Sequence, residues 1–465
     1  MNQTILVSLL SGTMLAGCTA PEQGAAPAQE SRRALSSVPG LATDTAFAAE
    51  VREAFLHAWS GYERYAWGHD DLRPLTLGSH DWYDVPLLMT PVDAYDTMLL
   101  MGLDEEAARA KEVILGTLSF DQDITVQVFE VTIRLLGGLL SAYQMDGDAR
   151  WLELATDLAD RLLPAFDSPT GMPYVRVNLA TGATREPENN PAEIGTLTLE
   201  FGLLSALTGD ARYADAVERG VTEVFRRRSA LDLVGEVLNV ETGEWTDPSS
   251  HVSGRIDSYY EYLLKAWLLF GDGDFLTMWE TSREALNAHV ADEVDGRLWY
   301  GQVDMSTGAR LSTRFGALDA FLPAVLALGG DLDRAARLQE SVWVMWEAFG
   351  IEPESFDYTT MDIGYPAYPL RPEAIESAYY LFVLTGDERW RDMGREMFHR
   401  VVAAARTDAG FAHLGDVRTG EQTDDMQSFF LAETLKYAYL LADPSALDFD
   451  AVVFNTEAHP LRPIG

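Results

Sequence analysis

A short glycine–aspartate phrase that returns about every 45 to 60 residues constrains this chain more than any other feature. Its related forms are Gly102-Leu103-Asp104, Gly147-Asp148, Gly209-Asp210, Gly271-Asp272, Gly330-Asp331 and Gly386-Asp387. Glycine readily ends a helix in the left-handed conformation, and aspartate is a strong helix N-cap. Each copy therefore predicts the end of one helix and a capped start of the next, and the repeat length predicts stacked helical hairpins.

The repeat predicts about fourteen helices in seven pairs, and the helix before each glycine is the more apolar of its pair. These apolar helices, expected at 131–145, 197–208, 260–270 and 376–385, would form an inner ring with their partners outside. Turn-rich segments near 172–186, 235–247 and 296–311 predict short β-hairpins at one end. Helical pairs also build open solenoids, so the pattern alone leaves a closed barrel and a solenoid as alternatives.

The N-terminus predicts export and an anchor. A short apolar run at 5–10 leads to Leu15-Ala16-Gly17-Cys18, which resembles a bacterial lipoprotein signal, although the first three residues lack a basic side chain. We expect a signal peptide at 1–17, a flexible tether at 18–41 and one folded domain at 42–465. The expected location is the bacterial cell envelope, lipid-anchored at Cys18 (the outer membrane, from Thr19) or periplasmic. The alternative is an ordinary secretion signal.

Charge and cysteine content exclude several classes of function. The chain has 73 acidic and 34 basic residues, a net charge of −39, and Cys18 is its single cysteine. Such a surface repels nucleic acid and anionic membranes, so neither is an expected partner. One cysteine permits neither an internal disulfide nor a cysteine-based zinc site. We expect a monomer whose membrane contact is the lipid on Cys18.

Charged residues within apolar helices point to chemistry, because a buried carboxylate is costly unless it is paired or used. Glu130 and Arg134 lie four residues apart at the start of one inner helix and so share a face. Asp257 opens a second inner helix, and Glu373 and Glu376 lie in the first turns of a third. Each has a structural alternative: an ion pair for the first two, a helix cap for Asp257, and dipole compensation for the two glutamates.

Two further glutamates, Glu200 and Glu433, lie within apolar segments. Acids at the starts of several inner helices would collect at one end of a barrel, in a pocket that suits a sugar and a hard cation. The final segment, 453–460, has no helical pattern and by itself predicts a strand and a turn.

Together these segments resemble glycoside hydrolase family 47, the class I α-1,2-mannosidases. The resemblance runs from about Ala66 to Pro460 and consists of seven motifs in order, at 66–74, 92–97, 129–134, 257–265, 370–373, 428–436 and 453–460. It implies an all-α (α/α)7 barrel whose C-terminal hairpin, around 455–457, plugs the barrel as its floor. It also implies an exo-acting, inverting, calcium-dependent α-1,2-mannosidase that cleaves terminal Man-α-1,2-Man linkages of high-mannose glycans or mannans.

The resemblance also implies roles for single residues. Glu130 matches the general acid and Glu373 the general base, while Asp257 matches a third acid that either orients water or is itself the base. Calcium would be held by the hydroxyl and carbonyl oxygens of Thr456, with water in other positions. The residues matched to substrate or calcium-bound water, or to holding the acids, are Arg134, Glu200, Arg255, Arg371, Glu376, Phe429, Glu433 and Glu457. Inversion predicts a separation on the order of 6.5–9.5 Å between acid and base, and one protonated carboxyl group.

The sequence departs from the family pattern at two places near the expected site. Ala317 stands where many members have a histidine, and Gln427 stands where a glutamate often precedes Ser-Phe-Phe. One alternative function is a glycan-binding protein of the same fold with weak or no hydrolysis. Another is an α/α-barrel epimerase or lyase, but such enzymes usually need histidine or tyrosine bases, and the eight histidines form no paired motif.

Overall fold

Seven helical hairpins form a closed double ring in residues 36–464, the part of the chain that the computed structural model describes. The inner stretches are Met89–Leu100, 128–146, Pro191–Gly195 with Thr198–Thr208, Asp257–Phe270, Leu318–Phe321 with Leu322–Leu328, Glu373–Thr385, and Phe430–Thr434 with Leu435–Ala442. Their outer partners are Asp104–Thr117, Ala149–Leu162, Ala211–Arg226, Gly273–Ala285, Leu332–Phe349, Glu388–Ala405 and Thr45–Tyr65. The (α/α)7 barrel is confirmed.

The ring closes because its last inner helix pairs with its first outer helix. Leu435–Ala442 packs against Thr45–Tyr65, and the Asp44 amide donates to the Ala442 carbonyl at 2.8 Å. The inner helix Asp257–Phe270 is buried on nearly all sides, whereas Ala211–Arg226 buries one stripe. A helix that is apolar all round belongs in the core, and a helix with one apolar stripe belongs in the outer, solvent-exposed ring. The open solenoid is therefore wrong.

The aspartates of the repeat cap helices as predicted, with one exception. Those at 148, 210, 272, 331 and 387 each accept a hydrogen bond from a backbone amide in the first turn. The preceding glycines at 147, 209, 271 and 386 have φ between 69° and 79°. Asp104 is the exception, because its helix begins at Asp104 itself and Leu103 occupies the cap position. Its carboxylate lies in the first turn, where a negative charge interacts favourably with the helix dipole.

Short antiparallel strands cover one end of the barrel. They are Asp71–Arg73 with Gly78–His80; Thr125–Gln127, Arg176–Asn178 and Thr184–Arg185; Glu188–Asn189, Val237–Asn239 and Trp245–Asp247; Ser249–Ser250, Gln302–Asp304 and Arg310–Ser312; Ala291–Val294 with Arg297–Tyr300; Arg314–Phe315, Ser355–Asp357 and Ile363–Tyr365; and His413–Asp416 with Glu421–Thr423. The hairpins predicted near 172–186 and 235–247 are present. The segment 296–311 is not a single hairpin, because its first strand, Arg297–Tyr300, pairs with the preceding strand Ala291–Val294.

The C-terminal hairpin, Val453–Phe454 with Pro460–Leu461, is buried inside the ring. The Asn455 side chain donates to the Ile133 carbonyl and to Glu200, both at 2.8 Å. His459 lies 3.3 Å from Asp93 and 2.7 Å from Asp96. Burial opposes a charge on this imidazole, but the two aspartates outweigh burial and raise the pKa of His459 to about 9. The hairpin plugs the barrel as predicted.

The described chain begins on the end of the barrel away from the strands. The Ser37 amide donates to Asp450 at 2.9 Å, and the Val38 amide donates to the Val383 carbonyl at 2.8 Å. Contacts with the barrel thus start a few residues before the predicted boundary at 42. The predicted signal, Cys18 and most of the tether lie outside the described residues. Among residues 36–464, no helix has both the length and the hydrophobicity that crossing a bilayer requires.

Candidate active site

A cavity of about 370 Å³ opens where the N-terminal ends of the inner helices meet. It brings together eleven of the twelve residues that the sequence singled out: Glu130, Arg134, Arg255, Asp257, Arg371, Glu373, Glu376, Phe429, Glu433, Thr456 and Glu457. The twelfth, Glu200, is fully buried beneath them. The acids that seemed scattered along the chain therefore form one site.

Helix geometry aims these side chains into the cavity. Asp257 and Glu373 are each the first residue of an inner helix. Arg134 and Glu433 lie in π-helical turns, Thr132–Leu136 and Phe430–Thr434, inside their inner stretches. A π-helical turn carries an extra residue and shifts the following side chains around the helix, which is why such turns often occur at functional sites.

Arg134 joins the wall of the cavity to its floor. Its Nε donates to Glu130 at 3.0 Å, and its Nη1 contacts Glu457 and lies 3.5 Å from Asp93. Asp93 also accepts a hydrogen bond from Ser428. Desolvation disfavours the charge on this buried guanidinium, but Glu457 and Glu130 outweigh it, so the pKa of Arg134 is raised. The predicted ion pair of Glu130 exists and is part of the cavity itself.

Glu373 lies beside Arg371, and its Oε1 is 4.0 Å from the Arg371 Nη1. The closer partner of Arg371 is Glu354, whose carboxylate accepts from Nε at 2.7 Å. Burial raises the pKa of Glu373 to about 7, against the smaller opposing effect of Arg371. One oxygen of Glu373 is buried without a hydrogen-bond partner in the described residues. A carboxyl group in this state is suited to exchange a proton near neutral pH.

Asp257 faces the same space from the neighbouring helix. Its Oδ1 accepts the amide of Ser258 at 2.8 Å, and burial raises the pKa of Asp257 to about 6. Arg255 lines the cavity with 58% of its side chain exposed and donates to Glu236 at 3.1 Å. Of the three arginines predicted to hold the candidate acids, Arg134 and Arg371 form ion pairs with Glu130 and Glu373, whereas Arg255 is paired with Glu236.

The floor is a cluster of buried oxygen atoms around Thr456. The Thr456 amide donates to the Tyr262 hydroxyl at 3.2 Å, and that hydroxyl donates to Glu200 at 2.7 Å. The second oxygen of Glu200 is buried without a partner in residues 36–464. Burial raises the pKa of Glu200 to about 7 and that of Glu376 to about 8. Burial and the neighbouring Glu457 raise the pKa of Glu433 well above its usual range.

These floor residues fit a hard divalent cation. Hydroxyl, carbonyl and carboxylate oxygens are the ligands that calcium prefers, and an unpaired carboxylate oxygen next to Thr456 would gain from a nearby positive charge or an ordered water. No group of three or more His, Cys, Asp or Glu side chains in the described chain is arranged to bind a metal directly. The fit is therefore to an ion held mainly by Thr456 and water.

Other lining residues were missed. Glu193 and the helix cap Asn190 form two hydrogen bonds: the Asn190 Nδ2 donates to the Glu193 carboxylate at 3.0 Å, and the Glu193 amide donates to the Asn190 Oδ1 at 3.0 Å. Glu261 pairs with Lys265, which is 1% exposed and is one of only three lysines in the sequence. The signal for Glu261 was present, because a lysine inside an apolar helix needs a buried partner.

The departures from the family pattern lie at the edge of the site. Ala317 is buried and does not line the cavity, whereas its neighbour Leu318 does. Gln427 lines the cavity, and its side-chain nitrogen donates to Asp425 at 3.3 Å. Phe429 lies 5.8 Å from the Arg134 guanidinium and 5.9 Å from that of Arg371. An aromatic face between two arginines suits the apolar side of a sugar ring.

We predict that Asn455→Ala destabilises the fold by about 3 kcal/mol or more, because it removes hydrogen bonds of buried groups. Besides its two donated bonds, Asn455 accepts the amides of Glu457 and His459 at 3.0 and 2.8 Å. Thermal unfolding measures the effect, and Asn287→Ala, which removes one bond to Tyr300, is the control. A melting temperature equal to that of the control would contradict this role.

The closed helical ring and its carboxylate-lined pocket define a barrel glycosidase. The model of glycosyl hydrolase family 47 matches residues 54–463. Alpha-mannosidase I MNS4 of Arabidopsis thaliana is 40% identical over 439 residues, 89% of this chain and 69% of that protein. Mannosyl-oligosaccharide 1,2-alpha-mannosidase MNS1 of the same plant is 38% identical over 456 residues, which cover 92% of this chain and 81% of that protein. The solved α-1,2-mannosidase from Trichoderma reesei superposes with a TM-score of 0.85 at 29% identity, covering 91% of this chain and all of that one. This chain belongs to glycosyl hydrolase family 47.

Proposed function

We propose that this chain is an exo-acting, inverting α-1,2-mannosidase that requires calcium and removes terminal mannose from high-mannose glycans or mannans. The observation that carries the proposal is the single cavity in which Glu130, Asp257 and Glu373 lie above Thr456. The names of the relatives, a mannosyl-oligosaccharide 1,2-alpha-mannosidase among them, support the same substrate class.

Exo-action follows from the plugged barrel. The hairpin that carries Thr456 and Glu457 closes the inner ring below the cavity, so a glycan enters from the strand-covered end and stops at the floor. Only a chain end fits such a dead-end pocket. The terminal mannose would lie against Phe429 and the floor carboxylates, with the rest of the glycan towards the opening.

In the proposed mechanism, Glu130 delivers a proton to the leaving oxygen through a water while Glu373 takes a proton from the attacking water. Water attacks from the face opposite the leaving group, so the configuration inverts. Arg134 holds Glu130 in place, and the positive charge of Arg371 opposes the rise in the pKa of Glu373 that burial causes. Asp257 either orients the water or is itself the base. When bound, calcium would supply a positive charge that polarises mannose hydroxyl groups at the floor.

We predict that kcat/KM falls as the pH drops below about 7. The base must be ionised, and its pKa is raised by burial, to about 7 for Glu373 and to about 6 for Asp257. Below the pKa of the base, the rate should fall about tenfold per pH unit. Initial rates from pH 4 to 9 measure this, with circular dichroism showing that the fold persists. A rate that stays constant down to pH 5 would contradict either group as the base.

The alternative is a glycan-binding protein of the same fold without hydrolysis. Retention of all three acids in one cavity favours the enzyme. The deciding experiment incubates the purified chain with Man-α-1,2-Man and with α-1,3- and α-1,6-linked disaccharides. Release of mannose from the first alone is the expected result, and NMR of the first product should show the β-anomer. Binding without release from any linkage would favour the alternative.

We also propose a monomer anchored to the bacterial envelope by a lipid on Cys18. Val383, which binds Val38, lies ten residues along its helix from Glu373, about 15 Å away on the helix axis. The tether would thus leave from the end opposite the cavity, so an anchored enzyme would present its opening away from the membrane. The lipid itself is tested by Cys18→Ser, which should move the protein from the membrane to the soluble fraction. An unchanged distribution would contradict it.

A further inference from the structure

A second hollow of about 310 Å³, which we name the rim hollow, adjoins the active-site cavity. The two share Gln127 and Gln427 as a common wall, and the rim hollow continues over Asp71, Trp82, Tyr83 and Arg176. We propose that the rim hollow is a distal subsite, which binds a sugar residue of the glycan beyond the two mannoses that the cleaved linkage joins. This inference rests on the proposed mannosidase activity and concerns how a long, branched substrate is recognised.

The lining of the rim hollow suits a neutral sugar. Trp82 and Tyr83 are partly buried and supply aromatic surface, while arginine, aspartate and glutamine side chains are planar groups that hydrogen-bond hydroxyls. Both arginines there are already paired: Arg73 with Asp425 at 2.9 Å, and Arg176 with Glu186 at 3.1 Å. Arginines that are already paired favour an uncharged polyhydroxylated ligand over an anion.

Asp71 gives an independent reason to expect a ligand. Asp71 is 1% exposed, and one of its carboxyl oxygens accepts a hydrogen bond from the Trp82 indole. The other oxygen is buried without a partner in residues 36–464. Leaving such an atom unpaired is costly, and a hydroxyl donor entering the hollow would supply the missing bond. Burial also raises the pKa of Asp71, which suits a contact with a neutral hydroxyl.

The rim hollow lies on the side of the general acid. The Arg134 guanidinium is 5.1 Å from the centre of the Trp82 ring, and the same side chain holds Glu130 at 3.0 Å. Gln127 lies three residues before Glu130, and its backbone amide donates to the Tyr83 hydroxyl at 3.1 Å. A general acid protonates the leaving-group oxygen, so the remaining glycan departs past Glu130. In the proposed arrangement, sugars beyond the leaving mannose pass over Trp82 and Arg176.

The test compares a short and a long substrate in the same variants. If the rim hollow binds a more distant sugar, both mannoses of Man-α-1,2-Man occupy the active-site cavity, and a branched high-mannose glycan supplies the further sugar for the hollow. We expect Arg176→Ala to lower kcat/KM for the branched glycan about tenfold and to leave the disaccharide rate within about twofold. Arg185→Ala is the matched control, because Arg185 pairs with Arg176 across the same strands, is exposed and does not line the hollow. It should change neither rate.

Trp82→Ala provides a second variant, and we expect it to lower the ratio of glycan rate to disaccharide rate at least tenfold. Equal losses on both substrates would show that Trp82 acts only through Arg134. Equal losses, or no loss, in both variants would overturn the subsite while leaving the mannosidase intact. If the wild type cleaves neither substrate, the proposed function fails instead. The subsite is then judged by titrating the branched glycan, and a Kd that Arg176→Ala leaves unchanged would overturn it.

Discussion

Replacing Glu373 by glutamine should lower kcat on Man-α-1,2-Man by about 10²- to 10⁴-fold, the range expected for loss of a general base. The side chain keeps its size but can no longer accept a proton from water. Glu373 opens an inner helix and lies 4.0 Å from Arg371, and glutamine preserves the packing of both. Steady-state kinetics at pH 7 and a direct measurement of mannose release give the effect.

The same variant separates a catalytic defect from a folding defect. Because burial raises the pKa of Glu373 to about 7, the folded state binds its proton more tightly than the unfolded state does. The stability contributed by the neutral form is therefore lost as pH rises through 7. Glutamine stays neutral, so its melting temperature at pH 8 should be no lower than that of the wild type. Glu347→Gln, an exposed glutamate on an outer helix, is the control and should keep full activity.

Comparison with Asp257→Asn decides which acid is the base. If Glu373 takes the proton, the acid limb of the pH profile near 7 disappears in Glu373→Gln and survives in Asp257→Asn. If Asp257 takes it, the limb lies near 6 and the larger loss belongs to Asp257→Asn. Full activity in both variants would contradict the proposed mechanism and favour the glycan-binding alternative.

The acids of the site could be picked out as candidates by their unusual sequence context, but structural alternatives stayed open until the ordered family motifs were considered together. Glu130, Asp257 and Glu373 stand at the first turns of apolar helices, and helices that pair side by side in a ring bring their first turns to the same end. The partners of these acids could not be predicted. Glu354 and Glu236, which hold Arg371 and Arg255, lie outside the inner helices, and periodicity says nothing about contacts between such segments.

The strand-covered end of the barrel carried a signal that the sequence reasoning did not use. Asn178, Asn239, Asp304 and Asp416 each begin a turn in which Thr-Gly starts three residues later, and each side chain accepts a hydrogen bond from the backbone amide two residues ahead. This Asx-turn chemistry marks tight hairpins. It would have placed the hairpin of Asp304 between 302 and 312 and not across the whole turn-rich segment 296–311.

Chelation should abolish mannose release, with less than about 1% of the rate remaining, and added calcium should restore it. The physical reason lies at the floor: Glu200, Glu433 and Glu457 are 0%, 8% and 2% exposed beside Thr456, and their crowded carboxyl groups gain from a divalent cation.

A binding measurement that does not depend on turnover makes the calcium prediction sharper. An ion that binds only the folded state at one hundred times its Kd adds about 2.7 kcal/mol, so calcium should raise the melting temperature of the chelated protein by about 3 °C or more. Thr456→Val removes the hydroxyl ligand at constant shape and should weaken calcium affinity at least about tenfold by calorimetry, whereas Thr456→Ser keeps the hydroxyl and serves as the matched control. Activity and melting temperature that both survive chelation unchanged would rule out the calcium site. Equal affinity in the valine and serine variants would instead leave the carbonyl oxygen of Thr456 and the carboxylate-bound waters as the ligands.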